Sequence, residues 1–199
     1  MTPTHPAPPP IVLGSTSRYR AELLRRLVAE FEQSAPGTDE SPRIDESPAE
    51  RAWRLAVAKA EGAAGGRRDA LVIGSDQVAE FDGLILDKPG TAERARAQLA
   101  ACSGREVHFH TALCLFDTRT GQRHVHVDHT RVRFRELAAA EIARYVEREQ
   151  PLDCAGSFKC EGLGISLFES IDNRDPSALI GLPLIALARL LREAGVELP

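Results

Sequence analysis

The chain has 199 residues, 43% of them hydrophobic and 27% charged, with a formal net charge of -4. That length fits one large domain or two lobes around a cleft, and the apolar content suffices for a real core. The lack of a basic excess excludes a nucleic-acid-coating or membrane-surface protein, so an anionic ligand has to be met by local cations.

The opening MTPTHPAPPP has neither the basic nor the apolar region of a secretory signal. Its prolines remove backbone donors and favour extended conformations, so residues 1–10 are expected to form a disordered head. No apolar stretch approaches the ~20 residues of a membrane span. Ile11-Val12-Leu13 predicts a short strand closed by Gly14 and Ser15, and Leu23, Leu24, Leu27 and Val28 then fall at helical spacing. Residues 35–48, APGTDESPRIDESP, read as a long loop. Ser47-Pro48-Ala49-Glu50 supplies an N-cap, a proline at the first helical position and a capping-box glutamate, predicting a helix to about Gly62.

Leu71 to Gly74 reads as a buried strand, and Val78 to Leu86 as a hairpin turning at Asp82-Gly83, a dipeptide that tolerates positive φ. A helix over Ala92–Ala101 is stopped by Ser103-Gly104. Val107–Phe116 and His124–Phe134 alternate as strands around a turn near Thr120-Gly121, and helices follow at Ala138–Arg148 and Leu184–Ala194. Helices mixed with hairpins predict an α/β fold with a mixed, partly antiparallel sheet flanked by helices.

Four stretches carry chemistry. Gly14-Ser15-Thr16-Ser17-Arg18-Tyr19-Arg20 leads from a strand into a helix, so backbone N–H groups, hydroxyls and an arginine can cradle phosphate; alternatively Ser17 is only an N-cap. It is not a P-loop, because the GK[ST] ending is absent. The acidic loop Asp39-Glu40-Ser41-Pro42, echoed as Asp45-Glu46-Ser47-Pro48, can hold a hard divalent ion, although for Asp45 and Glu46 a helix-dipole role is preferred. Asp76, expected at the end of a buried strand, is either half of a structural ion pair, with Lys88 as the natural partner, or a general base. The fourth stretch, Ala155 to Gly162 with Asn173-Arg174-Asp175-Pro176 and Gly181-Leu182-Pro183, sets small residues around Lys159 and Glu161, as where backbone approaches a ligand.

Two further groups read as structural. His108-Phe109-His110 and His124-Val125-His126 alternate as exposed sheet-face residues with no third metal ligand at suitable spacing. Cys102, Cys114, Cys154 and Cys160 form no C-x-x-C pair, which points to a reducing compartment and, for Cys154 and Cys160, to separate packing roles.

Several motifs in order resemble the Maf family of nucleoside triphosphate pyrophosphatases: LGSTSRYRAELL, TDESP, IGSDQV, DGLILDKP, CSGREVHFHT, CAGSFKCEG and GLPL, from Val12 to Leu191. The resemblance implies a cytoplasmic enzyme, a single domain over residues 11–199 with two lobes around a central cleft, and a homodimer. The implied reaction is hydrolysis of a nucleoside triphosphate to monophosphate and diphosphate, aided by Mg²⁺ or Mn²⁺. It also implies roles: Asp76 as catalytic acid, Ser15, Arg20, Lys59 and Lys88 on the phosphates, and Glu40 with Asp76 on the metal. Tyr19, Gln77 and Glu161 resemble the branch acting on 7-methyl-GTP, whose cationic ring suits an aromatic face and a carboxylate. That branch more often has Pro at position 18, Trp at 19 and Gly at 87, where this chain has Arg18, Tyr19 and Asp87. A UTP, dTTP or other modified-nucleotide pyrophosphatase, and a non-catalytic nucleotide-binding division regulator, are the alternatives.

Overall fold

A computed structural model describes residues 9–199. The expected head falls outside the described residues except for its last two, and of these Pro10 is already engaged, its carbonyl accepting from the Leu71 N–H at 3.0 Å. The strands are β1 (Ile11–Leu13), β2 (Glu32–Gln33), β3 (Leu71–Phe81), β4 (Leu84–Leu86), β5 (Glu106–Asp117), β6 (Gln122–Phe134) and β7 (Phe168–Asp172). The helices are α1 (Arg18–Leu24), α2 (Pro48–Ala64), α3 (Ala92–Cys102), α4 (Ala139–Glu149) and α5 (Leu184–Glu193). All seven strands form one sheet in the order β2-β1-β3-β5-β6-β7, with β4 also on β3. β1 runs parallel to β2 and β3 while the other pairs are antiparallel, which is the mixed sheet the sequence predicts. Among the described residues no helix is long and apolar enough to cross a membrane.

Local chemistry places the elements as expected. Ser47 Oγ accepts from the Glu50 N–H at 3.3 Å, and Glu50 Oε2 accepts from the Ser47 N–H at 2.9 Å, so both halves of the capping box start α2. Asp82 and Gly83 take φ of 53° and 77°, the left-handed pair that a tight hairpin between β3 and β4 requires. α1, however, stops at Leu24; Leu27 and Val28 follow in tight turns and still pack on the same core.

Alternation along β3 and β5 sorts the core into two lobes. On one sheet face Leu71, Ile73, Leu113 and Leu115 pack with Leu23 and Leu24 of α1 and Leu187 and Leu191 of α5. Further along that face Ala79, Phe81, Val107 and Phe109 pack with Leu99 of α3 and Val146 of α4. Between the two clusters, the same side of the sheet carries Ser75, Gln77 and Thr111. Their polarity interrupts the apolar run and marks the cleft.

β3 departs from expectation. Leu71–Gly74 and the first arm of the hairpin are one strand of 11 residues, so Asp76 lies mid-strand and not at a strand end. The ladder is made by backbone groups, and Leu71 through Glu80 all pair with β5, so polar side chains do not end it. The other edge is interrupted instead. β1 pairs only with Leu71–Ile73 and β4 only with Ala79–Phe81, leaving Gly74–Val78 open to the cleft.

The opposite face is covered by α2 through Ala52, Ala56 and Ala60. Helix and strand approach so closely at Gly74 that an added Cβ would lie 2.2 Å from the Ala56 carbonyl oxygen and 2.5 Å from the Ala60 nitrogen. Both neighbours are backbone and cannot swing away. Gly74→Ala is therefore expected to cost about 1–3 kcal/mol, read as a lower denaturant midpoint, and to lower activity by pushing α2 off the cleft. An unchanged midpoint would show that α2 has room to move.

Candidate active site

Asp76 shares its sheet face with α2, and the close approach at Gly74 brings Lys59 across to it. Lys59 Nζ donates to Asp76 Oδ1 at 2.6 Å and pairs with Glu40 Oε1 at 2.8 Å. Lys59 and Asp76 are buried, whereas Glu40 is half-exposed on its loop. The cation expected for Asp76 was Lys88. β4 leaves the β3 ladder after Leu86, so Lys88 is carried off before it reaches Asp76 and stays exposed on the rim.

The loop after β1 is organised around Ser15. Its hydroxyl accepts from the Ser17 N–H at 3.1 Å and from Arg20 Nη1 at 3.3 Å. Ser17 Oγ in turn accepts from the Arg20 N–H at 3.4 Å, so Ser17 is the N-cap of α1 while Ser15 faces the cleft. Arg20 Nε donates to the Gly181 carbonyl at 2.9 Å, and Ser75 Oγ lies 2.8 Å from that oxygen and 2.8 Å from the Ala112 carbonyl, which share its one proton. One carbonyl of the GLPL segment thus aims the arginine.

Burial pushes the Arg20 guanidinium below its ordinary pKa, with Asp76 and Glu40 opposing the shift. An arginine remains charged regardless. For Glu40 burial is the largest single influence and would raise the pKa, but the hydrogen bond and charge of Lys59, with Lys88 and Arg20 beyond it, together hold the carboxyl below its usual range. The cleft thus sets its cations around two acidic groups.

Gln77 projects to the other face. Its Nε2 lies 3.0 Å from each of Thr111 Oγ1, the Ala178 carbonyl and the Leu179 carbonyl, three acceptors that share its two N–H protons. Thr111 spends its own proton on Ala178 O at 3.0 Å, so all three neighbours can only accept and the amide cannot be turned over. Oε1 is the atom left for a ligand. Tyr19 carries the Arg18 guanidinium 4.7 Å above its ring, and Arg18 Nη2 also donates to its hydroxyl at 2.8 Å. The ring already accepts a cation on one face.

The four other groups singled out in the sequence divide. Glu161 is exposed and lines the cleft, but Lys159 turns away, its Nζ donating to the Glu149 and Gln150 carbonyls at the end of α4. Asp175 is buried and accepts from Ser177 and from the Ile185 N–H, so it fixes the entry to α5. Glu46 is structural, but through an ion pair with Arg54 rather than the helix-dipole role expected for it. The histidines are half-buried where exposure was expected: His108 Nδ1 lies 3.0 Å from His129 Nε2 and His110 Nε2 lies 2.9 Å from Glu80. Among the described residues no three His, Cys, Asp or Glu are grouped to hold a metal. All four cysteines are free, and burial pushes the cleft-lining Cys154 and Cys160 up to about 12, leaving them protonated at neutral pH.

One cleft of about 910 Å³ collects Ser15, Tyr19, Arg20, Glu40, Lys59, Asp76, Gln77, Lys88 and Glu161. Sequence reasoning missed Arg51 on its wall. The available signal was spacing, since Arg51, Leu55 and Lys59 recur every four residues and share one helix face. Chemically the cleft offers cations for phosphates, a buried carboxylate for a proton, and an aromatic ring with two acceptors for a base.

The chain matches the family described as Maf-like protein over residues 10–194. It is 56% identical over 193 residues to the 7-methyl-GTP pyrophosphatase of Burkholderia thailandensis, covering 96% of this chain and 90% of that protein. It is also 56% identical over 192 residues to the 7-methyl-GTP pyrophosphatase of Xanthomonas oryzae pv. oryzae, covering 96% and 100%. A solved HAM1 protein from Coxiella burnetii, 16% identical, aligns over 92% of this chain and 98% of that one with a TM-score of 0.49. With the family match extending through both lobes and every wall of the cleft, the chain belongs to the Maf family.

Proposed function

We propose that this protein hydrolyses 7-methyl-GTP to the nucleoside monophosphate and diphosphate, removing a modified nucleotide. The observation that carries the reaction is the buried Asp76 carboxylate, held by Lys59 inside a cleft that also contains Arg20 and Lys88. The relatives named above support the substrate.

In this reading the triphosphate lies against Ser15, Arg20, Lys59 and Lys88. Lys59 occupies Asp76 Oδ1, so the second carboxylate oxygen takes a proton from the water that attacks the α-phosphorus. Charge growing on the phosphate oxygens and on the departing diphosphate is met by cations already in place. Glu40 and Asp76, through the oxygens that Lys59 leaves free, would hold a Mg²⁺ or Mn²⁺ ion, since such ions keep several waters and need only one or two carboxylates. When bound, that ion would add Lewis-acid polarisation of a phosphoryl oxygen.

At the base end, Gln77 presents only its carbonyl oxygen and therefore suits a ring that offers an N–H, as guanine and uracil both do, so the choice between them falls to Tyr19 and Glu161. Tyr19 and Glu161 face a positively charged ring favourably. A non-catalytic regulator has no use for a buried carboxylate beside phosphate-binding cations. The test is a panel of methylated and unmethylated triphosphates with Mg²⁺ or Mn²⁺, assayed for diphosphate release. Diphosphate is expected, with 7-methyl-GTP preferred; release of single phosphates would overturn the reaction, and preference for UTP or dTTP the substrate.

Glu161→Gln keeps the shape of the side chain and removes its charge. Because Glu161 is exposed before substrate binds, the preference for 7-methyl-GTP over GTP is expected to fall about tenfold in kcat/KM, the low end for a charge-assisted contact. An unchanged ratio would mean that Glu161 does not read the base.

A further inference from the structure

Arg51 stands two helical turns before Lys59 on the face of α2 that lines the cleft. Its side chain is only 14% exposed, yet its guanidinium is weakly engaged. Nη2 reaches the Glu40 carbonyl at 3.5 Å and Asp87 Oδ1 at 3.8 Å, and Nε is buried without a partner among the described residues. Arg54, one turn on, shows what a structural arginine does on this helix: Nε and Nη2 both engage the Glu46 carboxylate. A buried N–H without an acceptor is costly, and the cost is relieved when an acceptor arrives.

The local partner is a poor substitute for such an acceptor. Asp87 is 67% exposed, and an ion pair that long and that wet contributes little. Asp87 is also next to Lys88 on the cleft rim, opposite the helix stripe that carries Arg51 and Lys59. Arg51 and Lys59 are eight positions apart, about 12 Å along the helix axis. With Lys59 fixed beside Asp76, where the reacting α-phosphate must come, Arg51 serves groups further out on the Lys88 side.

We propose that Arg51 is a further substrate-binding residue that grips the terminal phosphates, the part that leaves as diphosphate, and that Asp87 holds it in place until they arrive. The planar guanidinium offers a two-pronged match to phosphate oxygens that a carboxylate 3.8 Å away does not exploit. Binding exchanges the Asp87 contact for the phosphates. Asp87, which stands where the branch usually has glycine, thereby acts as an internal competitor for the same cation. The proposal rests on the pyrophosphatase reading for the identity of the phosphates.

The test measures inorganic pyrophosphate affinity by calorimetry, and KM and kcat on the preferred triphosphate, for wild type, Arg51→Met, Asp87→Asn and the double variant. Arg51→Met is expected to weaken pyrophosphate binding and raise KM by about tenfold, with a smaller change in kcat. Asp87→Asn is expected to tighten pyrophosphate binding severalfold, and to lose most of that gain when Arg51 is also replaced. Unchanged pyrophosphate affinity and KM in Arg51→Met would overturn the proposal, as would an Asp87→Asn gain that survives without Arg51. Should Arg51→Met not fold, Arg51→Lys keeps the charge and stem but not the fork, and wild-type pyrophosphate affinity there would overturn it equally. Arg51-dependent pyrophosphate binding in a protein that cleaves no triphosphate would sink the enzymatic reading alone. Diphosphate release indifferent to Arg51 would sink this proposal alone.

Discussion

Asp76→Asn is expected to lower turnover at least ~100-fold while leaving the protein folded. Asparagine is nearly isosteric, and its amide oxygen can still accept from Lys59, whose other contact, Glu40 at 2.8 Å, is untouched. The buried ammonium therefore keeps a negative partner. What disappears is a base able to accept a proton from water, because an amide does not do so near neutral pH. Diphosphate release under saturating substrate gives kcat, and thermal unfolding followed by circular dichroism reports the fold. Near-normal kcat in a folded variant would return Asp76 to the role of counter-ion for Lys59.

Lys59→Met is expected to damage stability as well as activity. The methionine side chain fills much the same volume, but Asp76 and Glu40 are left facing one another without the ammonium that separates them. Removing one member of a buried pair costs about 3–5 kcal/mol, because the remaining charge has no compensation. The half-exposed Glu40 contributes less than the buried Asp76.

The pH dependence of that loss has a definite sign. Lys59 is the nearest of the cations that hold the Glu40 carboxyl below its ordinary 4.5 against burial. A depressed carboxyl contributes stability that is present above the unfolded value and lost as the pH falls through the folded one. Without Lys59, burial prevails and the carboxyl rises. The difference in urea midpoint between wild type and Lys59→Met should thus be full above the variant's raised carboxyl value and shrink as the pH falls through that value, through 4.5 and then through the depressed value of the wild type. A difference that does not vary with pH would show that Lys59 serves packing and not the carboxylates.

The features legible in sequence are those decided within a few residues. The capping box at Ser47 and Glu50 and the left-handed turn at Asp82-Gly83 follow from local hydrogen bonding and local sterics, and both are where the pattern put them. The hairpin of β5 and β6 follows from alternation alone. Which side chains could meet a phosphate was legible too, because charge and hydroxyl chemistry do not depend on context: Ser15, Arg20, Lys59 and Lys88 all lie on the cleft wall, although Lys159, set beside Glu161 in the sequence, does not. Reading polarity as a strand end failed at Ser75-Asp76-Gln77, because backbone pairing with β5 continues beneath those side chains.

By itself, then, the sequence determined the family, most elements but not the short edge strands β2 and β7, and the inventory of reactive groups, since these depend on residue identity and short-range pattern. Only the tertiary structure decided partnerships. Asp76 takes Lys59 rather than Lys88 because α2 docks at Gly74, a contact that depends on a missing Cβ and not on any charge pattern. Lys159 caps α4 instead of joining Glu161 at the cleft, because the last carbonyls of that helix come within reach of its ammonium. Gln77 shows its oxygen because Thr111, Ala178 and Leu179 converge on its nitrogen from two remote segments. Arg51 becomes visible as a weakly engaged cation only once the fold shows how few acceptors surround its buried side chain. Each of these depends on distances between residues far apart in the chain, and those distances are set by how helices and loops pack on the sheet, which no local pattern encodes.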